Sequence, residues 1–175
     1  YEIAGSFGAK LACPDSEVYA FVGDGSFNML HSEMLTAVQE GKKINVLLFD
    51  NASFGCINNL QMGQGINALC TELRHRSGDD PIRNGEFLNV DYAAVAKGYG
   101  FISYTAKTLD ELRFALNDSL KQTKPVLIDI KVLPKTMTDG YCSWWNVGCS
   151  DIPRTEKGKE ALEERIKHLS ESRKY

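Results

Sequence analysis

Apolar and small residues recur along this chain in two rhythms, one helical and one of short unbroken runs. From Glu2 to Ala12 the small residues Ala4, Gly5, Ser6, Gly8 and Ala9 predict a closely packed helix, stopped by Pro14. Glu17 to Val22 is a short apolar run ending at a glycine, which predicts a buried strand. Met29, Met34, Leu35 and Val38 are spaced for one helix over Asn28 to Glu40, with Gly41 as its stop. Ile44 to Phe49 predicts a second strand, Asp91 to Lys97 a helix ending at Gly98, and Phe101 to Thr105 a third strand. Thr108 and Glu111 form a capping-box pair that opens a helix striped by Leu109, Leu112, Leu116 and Leu120. After Pro125 the run Val126-Leu127-Ile128-Asp129-Ile130 predicts a last strand. Strands alternating with helices at this rhythm imply an α/β fold, a doubly wound and mostly parallel sheet with helices on both faces.

Two segments break the rhythm. Gln61 to Leu88 carries Gly63, Gly65, Gly78, Pro81 and Gly85 with little periodicity, and loops this long are commonly functional or mobile. The stretch Thr155 to Tyr175 is highly charged, with Leu162, Ile166 and Leu169 as a narrow apolar stripe. Its polar face mixes signs, so a surface helix is expected rather than a membrane anchor. The organisation expected is an α/β domain over residues 1–153 and a charged helical tail over residues 154–175.

Composition narrows the function classes. The 175 residues carry 20 Lys+Arg against 23 Asp+Glu, a formal net charge of −3, which argues against nucleic acid as the main partner. No apolar run approaches the roughly 18 residues needed to cross a bilayer, and no secretory pattern opens the chain. The five cysteines, Cys13, Cys56, Cys70, Cys142 and Cys149, show no C-x-x-C spacing; reduced thiols in a cytoplasmic protein are expected. Tyr1-Glu2-Ile3-Ala4-Gly5 reads as the inside of a helix, which suggests one part of a longer polypeptide.

The chemistry concentrates at Val22-Gly23-Asp24-Gly25-Ser26, where a strand gives way to a helix. Ligands of open parallel sheets bind beyond such strand ends, and Gly23 and Gly25 allow close approach of backbone to phosphate. Neither a dinucleotide fingerprint nor a P-loop is present. An acid between the glycines would repel phosphate unless a hard cation such as Mg2+ bridges the two. The second strand ends in Phe49-Asp50-Asn51-Ala52-Ser53-Phe54-Gly55, which offers an amide oxygen and a backbone carbonyl if the two strands are neighbours.

Gly23-Asp24-Gly25, 24 intervening residues and then Asp50-Asn51 resemble the motif of thiamine-diphosphate enzymes, with Asp50 in place of the usual first Asn. The resemblance implies that Asp24, the Asn51 side chain and the Ser53 carbonyl bind Mg2+. It implies likewise that Gly23, Gly25, Ser26, Phe54 and Gly55 lie along the diphosphate of thiamine diphosphate. Tyr1 to Gly5, Phe54 to Gly63 and Gly140-Tyr141-Cys142-Ser143-Trp144-Trp145 are further similar to the trihydroxycyclohexane-dione hydrolases of myo-inositol breakdown. The likeness runs from Tyr1 to about Pro153 and covers only the diphosphate-binding third of those longer enzymes. It implies ring-opening hydrolysis of a C–C bond in a small cyclic 1,2-diketone, with the cofactor as electron sink. It also implies a pyrimidine-binding domain, contributed by a second subunit of a homodimer or homotetramer, that carries the activating glutamate. No catalytic residue of this chain takes that role, and the fragment alone is expected to be inactive.

The same domain also serves carboligases of the acetolactate or glyoxylate type and 2-oxoacid decarboxylases, and a non-catalytic Mg-phosphate module is a third reading. Glu33 reads as structural, Cys56 as packing beside the cofactor and His31 as a packing histidine. His75, between Arg74 and Arg76, reads as part of a loop-anchoring basic cluster. Trp144-Trp145 reads as an apolar anchor or an active-site lid.

Overall fold

Branched and aromatic runs become strands because they can be buried on both faces of a sheet. In the computed structural model, which describes residues 1–79, 84–136 and 148–173, β1 (Tyr19–Gly23), β2 (Asn45–Asp50), β3 (Ile102–Ala106) and β4 (Val126–Lys131) form one sheet ordered β1-β2-β4-β3. All three pairings are parallel. Among the described residues the helices are α1 (Glu2–Ala12), α2 (Asp24–Met29), α3 (Glu33–Gln39), α4 (Gly55–Gly63), α5 (Tyr92–Gly98), α6 (Leu109–Ser119) and α7 (Glu156–Glu171). The chain divides into two compact units, residues 1–53 with 88–134 and residues 54–87 with 135–175.

The first unit holds the whole sheet. Successive β2 side chains point to opposite faces. Val46 and Leu48 meet Val22 and Leu127 under Ile3 of α1, Met34 and Ala37 of α3 and Ala96 of α5. Leu47 joins Val126, Ile128 and Ala115 of α6 on the other face. The expected α/β architecture with helices on both faces is present. α6 opens on the Thr108–Glu111 box, the Glu111 N–H donating to Thr108 Oγ at 3.2 Å and the Thr108 N–H to Glu111 Oε2 at 3.0 Å.

The single helix expected over Asn28–Glu40 is instead two. α2 starts at Asp24, directly on the end of β1, and stops at Leu30. α3 then buries Met34 and Ala37, while Met29, Leu30 and Leu35 stay exposed. The buried set is Phe27, Met34 and Ala37, with Val38 packed against it, so the spacing that predicted one helix was right for Met34 and Val38 but wrongly counted the exposed Met29 and Leu35.

In the second unit α4 was not expected from the sequence, and its last residues, Gln61 to Gly63, fall in the segment expected to be loop. Its run Cys56–Met62 has no clear apolar stripe, because a buried polar residue, Asn58, anchors it by donating to Thr71 Oγ at 3.0 Å. Thr71 donates in turn to Gln61 Oε1 at 2.7 Å, and its carbonyl accepts the Phe54 N–H at 2.8 Å. Glu72 pairs with Arg74 and, at 3.2 Å, with Lys135. α7 forms as expected, but its buried residues are Gly158 and Ala161, while Ile166 and Leu169 are exposed. Small residues are needed there, because a Cβ on Gly65 (φ +72°) would lie 2.5 Å from the Gly158 nitrogen.

Candidate functional site

β1 and β2 are hydrogen-bonded neighbours in register Gly23 with Phe49, so the two halves of the motif emerge side by side at the same sheet end. Asp24 is fully buried at the first position of α2. Its Oδ2 accepts the Ser53 N–H at 3.0 Å, a bond that ties one half of the motif to the other. Its Oδ1 is buried with no hydrogen-bond partner among the described residues. Burial, and then the charge of the neighbouring Asp50, push the Asp24 carboxyl up to about 7. Gly25 is buried and Ser26 half-buried behind it; a Cβ on Gly23 would meet nothing within 4 Å, so open space lies over the turn.

The turn after β2 is built by its own side chains. Asp50 Oδ1 accepts the Ala52 N–H at 3.0 Å. Asn51 Oδ1 accepts from the Ser53 N–H at 3.1 Å and from Ser53 Oγ at 2.9 Å. These bonds hold Ala52 at φ +53°, a backbone region that L-residues rarely occupy and that recurs at functional turns. Phe54 and Gly55, the next residues, are the N-cap and first residue of α4 in the second unit.

Three residues missed in the sequence complete the strand-end cluster. Asp129 of β4 is fully buried, and Lys131 at the end of β4 stands opposite Asp50 in register. The Lys131 ammonium pairs with Asp50 Oδ2, lies 2.9 Å from Asp129 Oδ2 and donates to the Val90 carbonyl at 3.0 Å. Burial works against that ammonium, yet its bonds to Asp50 and Asp129 outweigh burial and raise it above the ordinary lysine value. Burial likewise raises Asp129, against the pull of Lys131. Tyr92 backs the cluster, its hydroxyl accepting from Asn28 Nδ2 at 2.8 Å; burial and the surrounding carboxylates push it up to about 12. The one available signal was a charged pair inside the otherwise apolar run of β4.

The other candidates lie elsewhere. Glu33 accepts from Thr36 Oγ at 3.0 Å within α3. His31 stacks on Phe27 at 5.1 Å and meets Tyr99 edge-on, a packing role. In the second unit Cys56 is exposed and a free thiol, and the Arg74 guanidinium lies 3.5 Å over the Phe87 ring and bonds the Gly85 carbonyl. His75 exchanges backbone bonds there with Gly85 and Glu86, which anchors the loop. Trp144 and Trp145 lie outside the described residues. Among the described residues no group of three or more His, Cys, Asp or Glu forms a metal cage, and no helix is long and apolar enough to cross a membrane.

A buried carboxylate oxygen without a donor suits a cation rather than a hydrogen bond. Asp24, Asp50 and Asp129 against Lys131 leave two negative charges if all ionise, which one divalent ion would cancel. Asn51 Oδ1 would exchange its Ser53 hydroxyl for such an ion.

Known proteins share this arrangement of sequence. The family model "Thiamine pyrophosphate enzyme, C-terminal TPP binding domain" matches residues 1–130. The chain is 57% identical over 175 residues to a 3D-(3,5/4)-trihydroxycyclohexane-1,2-dione hydrolase of Clostridium botulinum, and 55% identical to one of Geobacillus thermodenitrificans. In each case all of this chain aligns with 27% of the relative, so it spans about a quarter of those proteins. A thiamine diphosphate-dependent 4-hydroxybenzoylformate decarboxylase of Rhodococcus jostii shares the fold with a TM-score of 0.62 at 21% identity, over 77% of this chain and 23% of that one. The chain belongs to the thiamine pyrophosphate enzymes, as their C-terminal TPP-binding domain.

Proposed function

We propose that Asp24, Asn51 and the Ser53 carbonyl hold Mg2+ against the diphosphate of thiamine diphosphate, with Gly23, Gly25 and Ser26 along the diphosphate. The observation that carries this reading is the buried, unpartnered Asp24 Oδ1 at a turn whose other oxygen already ties β1 to β2. Asp24 contributes charge, Asn51 and Ser53 contribute neutral oxygens, and the glycines keep the backbone open to phosphate.

The intact protein, on this reading, hydrolyses a C–C bond of a cyclic 1,2-diketone derived from myo-inositol. Identity of 53–57% to hydrolases named for such a dione supports that substrate class. When bound, thiamine diphosphate supplies the electron sink for the cleavage. The residues of this chain bind and orient its diphosphate end. The glutamate that activates the aminopyrimidine belongs to another domain, which a second subunit of a homo-oligomer supplies. This chain alone is therefore expected to be inert. A reducing, cytoplasmic setting suits the exposed free thiols of Cys13, Cys56 and Cys70.

Assaying the intact protein with trihydroxycyclohexane-1,2-dione and with pyruvate tests the reaction. Turnover of the dione to an open-chain acid supports the hydrolase reading; turnover of pyruvate alone replaces it with a decarboxylase or carboligase.

A further inference from the structure

The bonds around Lys131 form a continuous line across three strands. Asp129 of β4 and the Val90 carbonyl, just before α5, hold the ammonium, which grips Asp50 Oδ2 at the end of β2. The other oxygen of the same carboxylate accepts the Ala52 N–H, which fixes the turn in its positive-φ form. That turn delivers the Ser53 N–H to Asp24 Oδ2 at the end of β1. Only Asp50 links Lys131 to the motif in this line, and Asp50 is itself the charge beside Asp24. An ungripped Asp50 carboxylate could turn toward a cation on Asp24 or release the turn.

We propose that Lys131 is a positioning residue for the cation–diphosphate site. It acts through Asp50, holding that carboxylate on the Ala52 amide so that Asn51 and Ser53 face the ion. The inference rests on the proposed Mg2+ site and deepens it. A lysine acting merely as a nearby positive charge would repel Mg2+, so its removal would tighten cation binding. A lysine that positions the turn gives the opposite sign, since partners that orient metal ligands cost about 10–100-fold in affinity when removed.

The test is calorimetric titration of thiamine diphosphate with Mg2+ into the intact protein carrying Lys131→Met, Lys131→Arg, Asp50→Asn or the Lys131→Met/Asp50→Asn pair. Lys131→Met is expected to weaken binding about tenfold or more, and Lys131→Arg to keep it within about threefold. In the Asp50→Asn background, where the amide oxygen still accepts from Ala52, adding Lys131→Met is expected to change affinity by less than about threefold. This comparison decides the matter even if Lys131→Met alone does not fold. Unchanged or tighter binding by Lys131→Met, or a tenfold loss in the double variant relative to Asp50→Asn, overturns the positioning role. If the unsubstituted protein binds the cofactor equally well with Mg2+ and with EDTA, the Mg2+ site itself falls and the inference with it. Normal Mg2+ dependence in the unsubstituted protein together with an indifferent Lys131→Met variant overturns the inference alone.

Discussion

Asp24→Asn separates what the site costs the fold from what it does for binding. In the cation-free protein Asp24 is pushed to about 7 from an ordinary 3.8. A folded value above the unfolded one means the fold prefers the protonated form. Its contribution is therefore fully present below about 3.8 and is lost as pH rises toward 7. At about 1.4 kcal/mol per pH unit, that upward displacement makes ionised Asp24 a cost on the order of a few kcal/mol above pH 7, part of it repulsion shared with Asp50. Asparagine keeps an oxygen for the Ser53 N–H, removes the charge and lets its amide donate toward Asp50. Urea unfolding in EDTA at pH 5 and pH 8 should show the natural protein losing stability between them. The Asp24→Asn variant should lose little, and should be the more stable of the two at pH 8 by a few kcal/mol. A variant less stable than the natural protein at pH 8 would show that ionised Asp24 costs the fold nothing, as would a natural protein whose stability does not change between these pH values.

Three further outcomes follow from the packing. Gly65→Ala places a Cβ 2.5 Å from the Gly158 nitrogen at a φ of +72°, and should destabilise the second unit by about 2 kcal/mol or more, read as an early thermal transition. Thr108→Ala removes one half of the α6 capping box and should cost about 1 kcal/mol in urea unfolding, with Thr108→Ser restoring most of it. Burial works to raise Glu72, but Arg74 and Lys135 outweigh it and hold the carboxyl below its ordinary 4.5. Its stabilisation is present above pH 4.5 and lost as pH falls through the lower folded value, so Glu72→Gln should flatten the acid limb of the stability profile.

β2 and β4 were legible because each is a buried apolar run, β1 and β3 because each is a short branched and aromatic run only partly buried at a sheet edge, and α6 because Thr108 and Glu111 mark its start in the sequence itself. α4 was not legible, since its anchor is the polar Asn58 bonded to a threonine 13 residues away, a contact with no periodic trace. The break between α2 and α3 was hidden by exposed Met29 and Leu35, which look like core residues in a helical count. At the site, the paired halves Gly23-Asp24-Gly25 and Asp50-Asn51 stand out by spacing, and the neighbouring strands explain that spacing. Lys131 and Asp129 stayed hidden because their importance depends on strand order: β4 lies beside β2, and β3, which precedes β4 in the chain, lies beyond it. Only the register of Asp50 with Lys131 brings that ammonium to the motif.

On the proposed reading, Asp24 recruits Mg2+ to hold the diphosphate of thiamine diphosphate. Calorimetric titration of the cofactor into the intact protein, with Mg2+, with EDTA and with Asp24→Ala, decides between this and a metal-independent site. Saturable binding with Mg2+ is expected, falling at least about tenfold in EDTA and lost in Asp24→Ala. Binding of equal strength in all three would contradict it.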